Sequence, residues 1–452
     1  MVSQWKSQGW KYVSHLRLGD KMNIAKLMLC AALSLSMLSQ VLNAQETERK
    51  TQRVPTLRAK VYDQLSRAQS FADAGKSQEA FSVLDEVKDK ASSMNSYELA
   101  MMYNFYGFIH YNQEQYDEAI AAFEDVVKQQ PIPTSFEQAT LFSLAQLHMM
   151  RGNYDKTITF IEKWEDLQKA TNPNADIPAK NLVLKAQAMY QKQDYARASG
   201  YINKAVAQVE NSAEGYQVDE NWYVLQRAIF YELKQPEKVK DVLLKLVKYY
   251  EKPAYWIQLA GMYGELGDEK QQLSVMEIAY QLDYVATASD IFNLAQLYYY
   301  HQIPYKAALL MERAMQQGKL AEDQRNLTFL GQAWSFAKEN EKAIPAMMAA
   351  AALAKDGELD AQLAQIYLNQ EQWSKAIESS QTALQKGSLR NEGTVHLVLG
   401  MAHFNQGDYT QALNELAEAE KHNSSKGMAQ QWLRFVQSEK DTQERLQAGL
   451  SS

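Results

Sequence analysis

The chain has 452 residues, 46% of them apolar, with 47 Lys and Arg against 54 Asp and Glu. The apolar share is ample for a core, and the acidic balance argues against nucleic acid, whose phosphate backbone is bound by Lys and Arg. Glycine and proline are scarce, at 19 and 9, strong helix formers dominate, and no sustained alternation marks a strand, so an all-α chain is expected.

In chain order, the first feature is KMNIAKLMLCAALSLSMLSQVLNA (21–44). A short basic start and an apolar stretch from Leu27 to Leu42 precede the polar segment QETERKTQR. This is the layout of a secretory signal peptide, residues 1–44, with cleavage after Ala44 and Met22 as the expected true start. An uncleaved inner-membrane anchor is the alternative, although the stretch is short and serine-rich for a spanning helix. Cys30 is the chain's single cysteine and follows Leu29, where a lipoprotein signal would want a small residue. Without the signal no cysteine remains, so disulfides and thiolate metal sites are excluded. Residues 1–44 carry five Lys or Arg and one Asp, so the expected mature chain is more acidic still. Periplasmic localisation follows from this reading, and residues 45–60 are expected to be a polar tether.

From residue 61 a pattern repeats. YGFIHYNQEQYDEAIAAFEDVVKQQP (106–131) places a small residue, Gly107, on a first helix, another, Ala119, twelve places later, and an apolar one, Val126, seven after that. The same register recurs at 256–282, 363–387 and 397–422. Along the chain the first position reads Ala68, Gly107, Ala145, Ala186, Arg227, Ala260, Ala295, Gly331, Ala364 and Gly400. Two antiparallel helices approach closely only where side chains are small, so these positions mark helix crossings. An aromatic residue (Tyr116, Tyr154, Tyr195, Trp373, Tyr409) stands where each second helix is expected to begin. Ten units with starts 33 to 41 residues apart have the spacing of tetratricopeptide repeats, 61–426, and hence of a right-handed superhelical solenoid of helix hairpins. Arg227, Val239 and Gln272 break the small-residue rule in the fifth and sixth units. In the closing segment, 427–452, Met428, Trp432, Phe435 and Val436 form one apolar face, as expected of a capping helix.

No constellation of catalytic residues is present: there is no HExxH, GxSxG or phosphate loop, so no enzyme and no cofactor are expected. GMYGELG (261–267) lacks the spacing of a dinucleotide fingerprint and reads as close helix packing. His396 and His403 are seven apart, but they and His110 and His148 occupy packing positions rather than a metal-ligand set.

Fixed positions on each first helix of such solenoids line the concave wall. One reads Gln146, Gln187, Gln296, Gln332 and Gln365, another Tyr111, Tyr190, Tyr231 and Tyr299. Amides can bond a peptide backbone and tyrosines supply contact area at low entropic cost, so these residues form the candidate peptide-binding groove. The wall carries no ladder of Lys and Arg of the kind that clamps a C-terminal carboxylate.

Four segments go beyond the generic repeat: ENWYVLQRAIFYE (220–232), YWIQLAGMYGELGDEKQQL (255–273), PYKAALLMERAM (304–315) and QQWLRF (430–435). They resemble the proteobacterial tetratricopeptide proteins encoded beside TonB, ExbB and ExbD and described as components of the TonB system. The resemblance implies a periplasmic, non-catalytic scaffold in energised outer-membrane uptake of iron chelates. Its expected partners are TonB, ExbD or an outer-membrane receptor, and the membrane is reached only through them or through an uncleaved anchor. A scaffold for envelope assembly, such as polysaccharide export or cell-wall machinery, is the alternative, and a carbohydrate-binding or enzymatic solenoid a remote one.

Overall fold

A computed structural model describes residues 54–450 apart from 213, 214 and 216. The signal peptide, Cys30 and residues 45–53 of the tether lie outside the described residues. Apart from one short 3-10 turn, Ala91–Ser93, all regular structure among the described residues is α-helical. None of these helices is long and apolar enough to cross a membrane. The chain divides into two compact units, one ending at Asp268 and the other starting at Glu269.

The first unit stacks five helix hairpins: α1 (Ala59–Asp73) with α2 (Ser77–Lys88), α3 (Ser96–Asn112) with α4 (Tyr116–Lys128), α5 (Thr134–Met150) with α6 (Tyr154–Thr171), α7 (Ala179–Gln191) with α8 (Tyr195–Glu210), and α9 (Glu220–Glu232) with α10 (Pro236–Tyr250). A further helix, α11 (Pro253–Glu265), packs on α10. The second unit opens with α12 (Glu269–Gln281) and stacks four hairpins. These are α13 (Ala288–Tyr300) with α14 (Pro304–Gln316), α15 (Gln324–Phe336) with α16 (Asn340–Leu353), α17 (Glu358–Asn369) with α18 (Trp373–Lys386), and α19 (Glu392–Asn405) with α20 (Tyr409–Glu420). The last helix, α21 (Lys426–Leu450), packs on α20. The aromatic residues expected to open second helices do so at Tyr116, Tyr154, Tyr195, Trp373 and Tyr409.

The crossings fall where the small residues stand. Ala68, Ala145, Ala186 and Ala295 are wholly buried. A β-carbon added to Gly107 would lie 2.7 Å from the Phe123 ring, and one added to Gly400 2.6 Å from Leu416. Seven residues after each of these positions the chain enters the left-handed region: Gly75, Glu114, Gly152, Gln193, Lys234, Gly267, Gln302, Lys338, Glu371 and Gly407 all have positive φ. The following N–H reaches back to a carbonyl five residues earlier, as Asn153 does to His148 (2.8 Å) and Asp408 to His403 (3.0 Å). Every turn between a first and a second helix is therefore closed by one device, a left-handed C-terminal cap.

The capping helix differs in detail from the sequence reading. Ala429 and Val436 are the residues it buries, with Trp432 and Leu433 packed beside them. Met428 and Phe435 are exposed, at 55% and 48%, because the apolar stripe of Met428, Trp432, Phe435 and Val436 is wider than the seam α20 offers. The Phe435 ring still touches Phe404 and Trp432 (centroids 5.2 and 5.7 Å).

Candidate functional site

Within each unit the first helix of a hairpin packs against its own second helix and against the second helix that precedes it, and four pairs of first helices also touch along one edge (α1 with α3, α5 with α7, α7 with α9, α17 with α19). The residue after each crossing position is thereby placed on the wall that the first helices share within a unit.

Gln146 and Gln187 in the first unit, and Gln296 and Gln332 in the second, are half-buried at that position. Among the described residues none of these four amides has a hydrogen-bond partner, and none is sealed from solvent. Gln365 differs: it is exposed and donates to Asn369 Oδ1 (3.1 Å). Gln69 occupies the same position on α1 and donates to Asp73 (2.6 Å). The sequence reading passed over it although the register, one residue after Ala68, identifies it.

The tyrosine position is less open than the amide one. Tyr111 lies 5.9 Å from Tyr116, and Tyr190 5.5 Å from Tyr195, ring centroid to centroid. Each thus rests on the aromatic residue that opens the second helix of its own hairpin. Burial first, then the charge of Glu232, pushes the Tyr190 phenol above its ordinary value. Tyr231 is raised by burial, Glu265 and Glu232. In the second unit Tyr298 is buried, Tyr300 is exposed, and Tyr299 is half-buried between Phe329 and Phe336 (5.5 and 5.1 Å). Phe329 also meets Phe292 (5.1 Å), over which Arg325 places its guanidinium at 4.1 Å. This cluster joins α13 to α15 and was missed in the sequence, because Phe292 and Phe329 do not share a register position.

His148 and His396 are held by their neighbours. His148 is buried against Phe160, with parallel rings 5.3 Å apart. His396 Nδ1 is bonded to Glu415 (2.7 Å). Among the described residues no group of three or more His, Cys, Asp or Glu is placed to hold a metal ion.

One basic side chain stands in the wall of the first unit. Arg227, at the crossing position of α9, is half-buried and donates from Nη1 to Gln258 Oε1 on α11. Burial holds its guanidinium below its ordinary value, opposed by the nearby phenols of Tyr255 and Tyr190.

The family model "Tetratricopeptide repeat" matches residues 109–172 and 361–427, so the chain carries tetratricopeptide repeats there. No curated protein matches the chain. Among solved structures, YrrB, described as a TPR protein with an unusual peptide-binding site, is 16% identical, covering 42% of this chain and 97% of its own at a TM-score of 0.36. The C-terminal part of a TPR repeat-containing protein from Cytophaga hutchinsonii is 13% identical, covering 64% and 95% at 0.37. In the Cut9–Hcn1 hetero-tetramer of APC/C the matching chain is 14% identical, covering 84% and 84% at 0.29.

Proposed function

We propose that this tetratricopeptide-repeat chain is a non-catalytic scaffold whose first-helix wall binds an extended segment of a partner protein. The observation that carries the reading is the set of half-buried amides at Gln146, Gln187, Gln296 and Gln332, which have no partner among the described residues. An amide offers both a donor and an acceptor. Within each unit, two amides at one register position present such pairs to a backbone lying along that unit's wall.

The finer reading places the scaffold in the periplasm as an accessory of the TonB–ExbB–ExbD system, with TonB, ExbD or an outer-membrane receptor as partner. Its support is the signal-like segment 21–44 and the resemblance of segments 220–232, 255–273, 304–315 and 430–435. The test is a cross-linked pull-down with residues 45–452 from iron-starved cells, beside a variant carrying Gln146→Ala, Gln187→Ala and Tyr190→Ala. Recovery of TonB, ExbD or a receptor, reduced at least tenfold by the variant, is expected. Recovery unaffected by the variant removes the wall as the binding surface. Capture of polysaccharide-export or cell-wall machinery instead removes the TonB reading.

A further inference from the structure

We propose that Arg227 is the centre of an anion-binding pocket in the first-helix wall, and that it takes the carboxylate of an Asp or Glu side chain in an extended peptide. The inference rests on the scaffold reading above and specifies one residue type of the partner.

Nine of the ten units carry Ala or Gly at the crossing position, and only the fifth carries a large, charged residue. Placing a guanidinium there removes much of it from water, which is costly unless the charge is paired. The chain has acidic residues in excess and pairs its other withdrawn cations: Lys185 with Glu165 (3.1 Å) and Lys386 with Asp360 (2.7 Å). Arg227 is treated differently. Its hydrogen-bond partner is the neutral amide of Gln258, and among the described residues no carboxylate pairs with it. Of the carboxylates on its own helix, Glu220 is already taken by the Tyr255 hydroxyl and by Lys252, and Glu232 acts on the Tyr190 and Tyr231 phenols. A positive charge is therefore left uncompensated in a partly dry site.

The geometry suits a carboxylate. A guanidinium has five N–H donors in a planar fork, and Gln258 occupies one nitrogen. Arg227 is half-buried rather than sealed, and a carboxylate that reached its remaining donors with both oxygens would make the strongest arrangement such a group forms. Tyr190 on α7 and Tyr255 on α11 act on the guanidinium from the two neighbouring first helices. The wall continues past Arg227 onto both α7 and α11, so a bound segment runs on in both directions. That favours an internal acidic side chain over a chain terminus.

The test uses the full chain with ¹⁵N-labelled arginine and two small probes, N-acetyl-glutamate methylamide and its neutral counterpart N-acetyl-glutamine methylamide. The Arg227 Nε–H signal is assigned by its loss in either Arg227→Gln or Arg227→Lys, so one folded variant suffices. The expected result is a saturable shift of that signal with the glutamate probe in the millimolar range, at least tenfold weaker with the glutamine probe. An Arg227 signal that responds to neither probe, or no more than those of the exposed Arg434 and Arg445, overturns the proposal. The scaffold reading fails separately: a saturable response here beside an empty pull-down keeps the pocket and removes the scaffold. A partner captured equally by the wild type and Arg227→Gln keeps the scaffold and removes the pocket.

Discussion

The ammonium of Lys185 on α7 lies 3.1 and 3.2 Å from the two carboxylate oxygens of Glu165 on α6, and both side chains are buried. The same ammonium sits 4.9 Å from the Tyr201 ring centroid, so one cation ties three helices together. Breaking such a pair from one side strands a charge in the interior, which costs about 3–5 kcal/mol. Lys185→Met is therefore expected to lower the unfolding free energy by about that amount. Lys185→Met with Glu165→Leu should recover most of the loss, since two apolar residues of similar volume need no pairing. Urea denaturation of the four members of the cycle measures both quantities.

Gly107 and Gly200 both lie inside helices, and the structure assigns opposite signs to the same substitution. In Gly107→Ala the new methyl would meet the Phe123 ring at 2.7–2.8 Å. Overpacking of this kind costs about 1–3 kcal/mol, against a helix-propensity gain of about 1 kcal/mol. The net expectation is destabilisation. In Gly200→Ala nothing lies within 4 Å of the new methyl, so only the propensity gain remains, and stability should rise by about 0.5–1 kcal/mol. Thermal unfolding of the two variants side by side decides it; equal shifts would refute the reading of Gly107 as a crossing point.

The repeat was legible because each unit solves the same local problem in the same register. Small residues at 68, 107, 145 and their successors fix the crossings, and the left-handed turn seven residues later follows from them even where the residue is Glu, Gln or Lys. What the register could not give is who meets whom between hairpins. The pairing of Lys185 with Glu165, the ring cluster of Tyr299 with Phe329 and Phe336, and the bond from Arg227 to Gln258 join residues 20 to 37 apart in the chain. They depend on rotamers and on the offset between neighbouring units. Arg227 was visible only as a broken rule, and its meaning came from its surroundings.

Lys338 and Glu371 hold left-handed turns with φ of 66° and 60°. A residue with a β-carbon pays about 1–2 kcal/mol in that conformation, whereas glycine adopts it freely. Part of the gain on substitution is offset by the greater freedom of glycine in the unfolded chain. Lys338→Gly and Glu371→Gly are each expected to stabilise by about 0.5–1 kcal/mol, read as a higher midpoint in urea. Gly407, with φ of 84°, supplies the reverse control: Gly407→Ala should destabilise by about 1 kcal/mol or more.

Two histidines make stability depend on pH in opposite senses. His148 is buried with neither ring nitrogen hydrogen-bonded, and burial, then Lys156, holds it below its ordinary value against the opposing pull of Glu124. Its unfolded form takes a proton near pH 6.5 while the folded form does not, so its contribution is full above about pH 6.5 and is lost as the pH falls below it. His396 is raised, first by its hydrogen bond to Glu415 and then by the charges of Glu415, Glu392 and Glu418. Its contribution is full below about pH 6.5 and is lost as the pH rises through the higher folded value. Between about pH 7.5 and 5.5 the first unit should therefore weaken on acidification while the hairpin of α19 and α20 gains. His148→Phe should flatten the acid loss and His396→Gln should remove the acid gain. Amide hydrogen exchange at the two pH values, read separately for α5 and α19, measures each. Protection that moves in the same direction in both helices would contradict the assignment of opposite shifts.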